Sequence, residues 1–314
     1  MRSEDMVKVF LCEFIHPKAY ELLGKNAEII TSMEKIMEVD AIINRNLHID
    51  RQIMEQCPNL KVIGIHGTGK DGVDLAAAKE FGIKVVYVPY ENADSVAELI
   101  VTFMLTAARK ISLADRLVTT GKVSSSAPSE LEGSEIQKKT FGMIGCGDIA
   151  MRAARILEKG FDMKLIGYSP SLTDEKAQKL GISRCMGINE IFEKADFVNI
   201  GVHLNEQTKG MITRTNLLHA KKGCILINTS RGEVVNEQDL YMALADGTIK
   251  FAACDVFSQE PPTPENPLIG LPNFIGTPHI GANTEEALYR VGKSVVEQIF
   301  DVLAGKTAAH EYEE

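Results

Sequence analysis

The stretch FGMIGCGDIAMRAARILEKG, residues 141–160, decides how this chain folds. An apolar run ends at Gly145-Cys146-Gly147, and the residues after it repeat their apolar positions at helical spacing. The core pattern is G-x-G-x-x-A, closed by Ala150. In such a strand–turn–helix unit the first glycine permits the tight turn and the second lets the backbone approach a pyrophosphate. The small third residue lets the helix close on the strand. The helix, predicted from Met151 to Lys159, then offers its unpaired N–H groups to phosphate charge. With a strand before it and a helix and further βα units after it, the motif reads as a dinucleotide-binding turn.

Outward from that stretch, short β-branched runs alternate with longer amphipathic segments, which predicts parallel sheets covered by helices. One group of predicted strands comprises VKVFLC (7–12), AEII (27–30), AIINR (41–45), KVIGIHG (61–67) and KVVYVP (84–89). The second comprises FGMIG (141–145), KLIGYS (164–169), DFVNIGV (196–202), CILINTS (224–230), KFAACDV (250–256) and NFIGTPH (273–279). Between the groups one long helix is predicted from Asp94 to about Thr120, opened by a capping box of Ser95 with Glu98 and stopped by Gly121. The polar VSSSAPSELEGSE (123–135) reads as surface loop. A last helix, started by Asn283 with Glu286 and ended at Gly305, suits either unit. The tail TAAHEYEE (307–314) reads as a frayed end.

Composition limits the functions available. At 314 residues and a prior of roughly 150 per domain, two domains are expected. A net charge of -9 leaves no basic field for nucleic acid or an anionic membrane, although a local basic pocket remains compatible with it. The longest uncharged apolar stretch, Leu99 to Ala108, falls far short of the ~20 residues a membrane span needs. The opening MRSEDMVKVF lacks a signal-peptide apolar region. Six cysteines without a CxxC pair or metal-type His/Cys spacing read as reduced core residues. The expectation is a cytoplasmic protein without a metal site.

After the second strand of the glycine-turn unit stands Ser169, where an NAD site usually offers a carboxylate to the ribose hydroxyls. No carboxylate there repels a 2′-phosphate, and no Arg stands beside it, the nearest cations being Lys176 and Arg152. Asp148 adds negative charge beside the phosphates, so the reading leans to NAD with NADP as the alternative. A second constellation is spread over three strand ends: Asn228-Thr-Ser-Arg231-Gly232, Asp255-Val-Phe-Ser-Gln-Glu260-Pro261 and Thr277-Pro-His279-Ile-Gly281. In open parallel sheets ligands bind at the carboxyl ends of strands, which predicts that Arg231, Glu260 and His279 converge.

The chain resembles the D-isomer-specific 2-hydroxyacid dehydrogenase family over roughly residues 40 to 300. The resemblance rests on NADSVAEL (92–99), GMIGCGDIA (142–150), INTSRGEVVN (227–236), DVFSQEPP (255–262) and NFIGTPHIGANT (273–284), all in the family's order. It implies an α/β fold in which a Rossmann dinucleotide-binding domain, 94–283, is inserted in a flavodoxin-like parallel-sheet substrate domain made of 1–93 and 284–314. It implies a hydride transfer between a nicotinamide cofactor and a D-2-hydroxyacid or 2-keto acid. Arg231 would hold the substrate carboxylate, His279 would be the general acid or base, and Glu260 would hydrogen-bond His279 and favour its protonated form. Cofactor contacts are implied for Gly145, Gly147, Asp148, Ile149, Ser169, Thr208, Thr229, Ser230, Arg231, Asp255, His279 and Gly281. Thr68, Gly69 and Lys70, with Arg231, would bind substrate, and Lys70 would favour a second negative charge on it.

The chain departs from the family in a segment after His203 about two residues shorter than usual, in a 123–135 loop without the frequent Trp, and at two single positions. Lys70 stands where a tyrosine or apolar residue is frequent, and Tyr90 where Gly is common. The family is typically homodimeric, and the long helix at 94–120 suits a dimer contact or a hinge. Two alternatives share the fold: a cofactor-sensing corepressor-like binding protein, and a short-form phosphoglycerate dehydrogenase. The chain's length is expected to hold the two catalytic domains and little else.

Overall fold

A computed structural model describes residues 6–313. The first five residues, part of the opening read above as lacking a signal peptide, lie outside them, as does Glu314. The elements in chain order begin β1 (Val7–Leu11), α1 (Pro17–Gly24), β2 (Ala27–Ile30), β3 (Ala41–Asn44), α2 (Arg51–Glu55), β4 (Val62–Ile65), α3 (Leu75–Glu80) and β5 (Lys84–Tyr87). They continue with α4 (Ala93–Ala108), α5 (Ile111–Thr119), β6 (Thr140–Ile144), α6 (Asp148–Phe161), β7 (Lys164–Tyr168), α7 (Asp174–Leu180), β8 (Ser183–Arg184), α8 (Ile188–Lys194) and β9 (Phe197–Ile200). The last are α9 (Arg214–Leu217), β10 (Ile225–Asn228), α10 (Glu237–Ala245), β11 (Phe251–Cys254), β12 (Phe274–Gly276) and α11 (Glu285–Leu303). The chain divides into two compact units, at Asn92/Ala93 and at Gly281/Ala282.

The first unit holds a five-stranded parallel sheet in the order β2-β1-β3-β4-β5, the flavodoxin-like winding. Its central strands β3 and β4 are buried at every residue, as strands covered on both faces must be. Helix α11 packs on this sheet and on α1, which settles the choice its sequence left open. It approaches so closely that a Cβ at Gly64 would lie 2.6 Å from Ile299 and 2.7 Å from Val295. Val291, Val295, Val296 and Ile299 are its buried stripe, each contributing roughly 1.5–3 kcal/mol.

The second unit holds a seven-stranded parallel sheet, β12-β11-β10-β9-β6-β7-β8. The order reverses between β6 and β9, the switch point where a Rossmann sheet opens its ligand crevice. Helix α4 buries Ile100, Phe103 and Met104 and packs against α6, β10 and β11. Among the described residues no helix is long and apolar enough to cross a membrane. No group of three His, Cys, Asp or Glu among them could hold a metal.

The helix predicted over 94–120 is two helices, because Lys110 adopts a left-handed φ of 51° and breaks the run. It starts at Ala93, so Ser95 lies buried inside its first turn rather than capping it. The glycine-turn helix is longer than Met151–Lys159, running Asp148–Phe161. Thr284, not Asn283, caps α11, its side chain accepting the Ala287 N–H. The two-residue β8 carried no readable pattern. The tail is not frayed: Glu311 bridges Val86 antiparallel, Tyr312 N–H donates to Val85 O at 2.7 Å, and Ala308 is buried.

Candidate active site

The glycine turn follows β6. Gly145 has φ 93°, and a Cβ there would lie 2.3 Å from the Gly201 carbonyl oxygen, so only glycine fits between the ends of β6 and β9. Its N–H donates to Tyr168 O at 2.8 Å, tying the turn to the end of β7. Gly147 is the N-cap of α6, no side chain caps that helix, and a Cβ on Gly147 would meet nothing within 4 Å. A 14-residue helix thus opens with uncapped N–H groups facing free space, a cradle that fits a pyrophosphate. Ala150 is buried beneath it and Ile149 half-buried beside it. Asp148 is paired with Arg152 at 2.9 Å, and Arg152 also meets Asp94 at 2.6 Å. Burial pushes the neighbouring Cys146 thiol up to about 11, so it is no nucleophile at neutral pH.

Ser169 follows β7, its Oγ 3.3 Å from Ser171 Oγ. Thr208 lies in the loop after β9, where its hydroxyl donates to His203 O at 2.6 Å and accepts the Asn205 N–H at 2.9 Å. The loop after β10 is built by Asn228, which heads the first of the three strand-end segments and was given no role of its own. Its Oδ1 accepts both the N–H and the hydroxyl of Ser230, at 3.0 and 2.8 Å, and its Nδ2 donates to Arg231 O at 2.9 Å. Asn two residues before Ser is a turn-forming signature that was available in the sequence. Thr229, Ser230 and Arg231 are half-buried, and Arg231 Nη1 donates to Ser230 O at 2.8 Å.

Gly232 lets this loop meet the one after β11, since a Cβ there would lie 1.9 Å from the Phe257 carbonyl carbon. That second loop carries Glu260. One carboxylate oxygen accepts the Phe257 N–H at 3.1 Å, and the other lies 2.8 Å from His279 Nδ1. Burial pushes the Glu260 carboxyl up, but the His279 hydrogen bond and charge, the Phe257 N–H and the Arg231 charge outweigh it. Glu260 ends below the ordinary carboxylate range.

His279 follows β12 with a left-handed φ of 54°. Asp255, only 2% exposed, holds its loop. The Asp255 backbone oxygen accepts the His279 N–H at 2.7 Å. Its carboxylate takes the Thr277 hydroxyl at 2.5 Å, the Ile280 N–H at 2.8 Å and the Gly281 N–H at 2.7 Å. Burial raises the Asp255 pKa despite these donors. Asp255, expected among the cofactor contacts, thus has three of its roughly four acceptor positions taken by the histidine loop. The second unit therefore brings Arg231, Glu260 and His279 together at the ends of adjacent strands β10, β11 and β12.

Thr68, Gly69 and Lys70 lie in the first unit, in the loop after β4. The Thr68 hydroxyl donates to Val88 O at 3.3 Å. The Lys70 ammonium is not an uncommitted cation at a loop tip. It sits 4.1 Å from the Tyr87 ring centroid and 5.9 Å from that of Tyr312, where the ring faces attract it. Tyr90, at the family's usual glycine position, keeps the left-handed conformation with φ 70°, at a cost of roughly 1–2 kcal/mol for a residue with a Cβ.

Residues 101–281 match the family profile described as D-isomer specific 2-hydroxyacid dehydrogenase, NAD binding domain. The chain is 38% identical over 312 residues to a D-3-phosphoglycerate dehydrogenase of Methanocaldococcus jannaschii, covering 96% of this chain and 59% of that protein. It therefore spans about three fifths of that relative's length. It is 37% identical over 286 residues to a hydroxypyruvate reductase of Thermotoga maritima, covering 90% of this chain and 91% of the relative. Among solved structures, a Thermus thermophilus protein superposes with a TM-score of 0.89 at 27% identity, covering 98% of this chain and all of that one. The glycine cradle, the order of the Arg, Glu and His loops and these matches agree, and the chain belongs to the D-isomer specific 2-hydroxyacid dehydrogenase family.

Proposed function

We propose that the protein interconverts a D-2-hydroxyacid and its 2-keto acid with a nicotinamide dinucleotide. The observation that carries the reading is the 2.8 Å Glu260–His279 pair on the strand end next to the Arg231 loop, in the unit that also holds the glycine cradle. Bound in that cradle, the cofactor supplies or accepts hydride at its nicotinamide ring. Arg231 grips the substrate carboxylate with its fork of donors and polarises the adjacent carbonyl. His279 gives a proton to the carbonyl oxygen in reduction and takes one from the hydroxyl in oxidation. Glu260, ionised and hydrogen-bonded to Nδ1, orients the ring and leaves Nε2 for the substrate.

A small monoanionic keto acid suits the site best. The T. maritima relative, matched over nine tenths of both chains, bears the name hydroxypyruvate reductase. The Lys70 charge, already seated on Tyr87, speaks against a second anionic group being required. The phosphoglycerate dehydrogenase reading draws on the M. jannaschii relative and calls for a doubly charged substrate instead. Helix α5 buries none of its residues and exposes Ile111 and Val118, which supports a homodimer. Six unpaired cysteines support a reducing, cytoplasmic setting. A panel of glyoxylate, pyruvate, hydroxypyruvate and phosphohydroxypyruvate with NADH and NADPH tests the proposal. A fall in kcat of roughly 10²–10⁴-fold in His279→Ala is expected, and a panel without turnover by the wild type would overturn it.

A further inference from the structure

The sequence leans to NAD through the negative charge of Asp148, and that charge is matched by Arg152 at 2.9 Å. The groups beside β7 point the other way. Directly after β7, next to the glycine turn, lies a pocket of about 390 Å³ lined by Cys146, Ser169, Ser171, Leu172, Lys176, Lys179 and Leu180. Its floor is apolar, with Leu172 buried and Cys146 half-buried. Its rim carries hydroxyl and ammonium groups, with the exposed Leu180 beside them. Ser169 Oγ and Ser171 Oγ lie 3.3 Å apart, and Lys176 Nζ donates to Ser171 O at 3.2 Å. Lys176 and Lys179 stand three residues apart on α7, so they share a face.

No carboxylate lines the pocket. Of the nearby acids on α7, Asp174 is engaged by Arg184 at 3.0 Å, and Glu175 is exposed outside the lining. Neither Lys176 nor Lys179 has a carboxylate partner among the described residues. The ribose of a dinucleotide whose pyrophosphate sits at Gly147 reaches the end of the next strand, β7, where a carboxylate would accept from a free 2′-hydroxyl. Ser169 stands there instead. Two hydroxyls and two ammonium groups around a concave surface with no acid match a dianionic phosphate ester.

We propose that this pocket binds the 2′-phosphate of NADPH, with Ser169, Ser171, Lys176 and Lys179 as its donors, so that the protein prefers the phosphorylated cofactor. The inference rests on the oxidoreductase reading above and specifies the cofactor within it. Its test is binding. Calorimetric titration of the whole protein with NADPH, NADH, adenosine 2′,5′-bisphosphate and 5′-AMP is expected to show NADPH at least about tenfold tighter than NADH, with the bisphosphate tighter than 5′-AMP. Removing both ammonium groups, Lys176→Ala with Lys179→Ala, should weaken NADPH roughly 10–100-fold and shift NADH by less than about threefold. Ser169→Asp should reverse the preference. NADH binding as tightly as NADPH, or lysine changes that weaken both alike, overturns the inference and leaves the oxidoreductase reading standing. Binding of neither dinucleotide, together with a silent keto-acid panel, overturns both.

Discussion

His279 Nδ1 lies 2.8 Å from Glu260 Oε2, and the same histidine holds a left-handed backbone with φ 54°. Side chain and main chain are thus fixed by different partners, Glu260 for the ring and Asp255 for the loop. Ring nitrogen Nδ1 is committed, which leaves Nε2 for substrate. His279→Ala should therefore lower kcat by roughly 10²–10⁴-fold, the usual contribution of a placed acid or base. Near-normal steady-state turnover would remove His279 from the mechanism.

Arg231→Lys keeps the charge and loses the planar fork. Its kcat/KM for a 2-keto acid should fall about 10–100-fold, the worth of a charge-assisted hydrogen bond. Full activity in the lysine variant would show that charge alone suffices.

Asp255→Ala strips the histidine loop of three donors' acceptor while leaving the backbone bond to His279 in place. A loss of about 3 kcal/mol in urea unfolding is expected, together with reduced kcat. Asp255→Asn, which keeps one acceptor oxygen, should fall between. Unaltered stability in both variants contradicts the positioning role.

Gly232→Ala puts a methyl group 1.9 Å from the Phe257 carbonyl carbon. Backbone cannot yield as a flexible side chain can, so the Arg231 and Glu260 loops must separate. The change should cost at least about 1–3 kcal/mol and most of the activity. A folded, fully active alanine variant would show that the two loops have freedom the geometry denies.

His66 gives the fold a pH dependence. Burial and then the Arg45 charge push its pKa down to about 4, and its Nε2 has no hydrogen-bond partner among the described residues. Between about 6.5 and 4 the unfolded chain binds a proton that the native state refuses, so stability falls as pH falls through that window. Wild type should lose about 2–3 kcal/mol more than His66→Gln between pH 7 and 4.5. Glu260 acts in the same direction at lower pH: its lowered pKa gives stability present above the ordinary carboxylate range and lost as pH falls through the folded value. Parallel urea midpoints for wild type and the glutamine variant would rule out the His66 contribution.

The sheets were legible because strands buried on both faces, such as Ile225–Asn228 and Phe251–Cys254, leave continuous apolar runs bounded by polar loops. The glycine turn was legible because G-x-G-x-x-A answers to a backbone demand visible as φ 93° at Gly145. Helix breaks were less so: nothing in the apolar periodicity of residues 94–120 marks the break at Lys110, where the distant Ser134 N–H donates to the Ala108 carbonyl at 2.8 Å. At the site, the residue types of Arg231, Glu260 and His279 were readable. Of the residues that set their geometry, Asn228 acts on Ser230 and Arg231 and was open to reading, whereas Gly232 and the carboxylate of Asp255 act on neighbours 20 or more positions away and were not.

The antiparallel strip from His310 to Tyr312 lies along β5, the edge strand of the first sheet. Lys84 and Glu311 pin it at 2.5 Å, and Gln298 of α11 accepts the His310 N–H at 2.7 Å. An uncovered parallel edge is a template on which a second chain can add its own strand. These few residues work as a guard rail. A chain cut before Ala308 would keep every group named in the chemistry and still be the one to self-associate, through β5, during expression or heating.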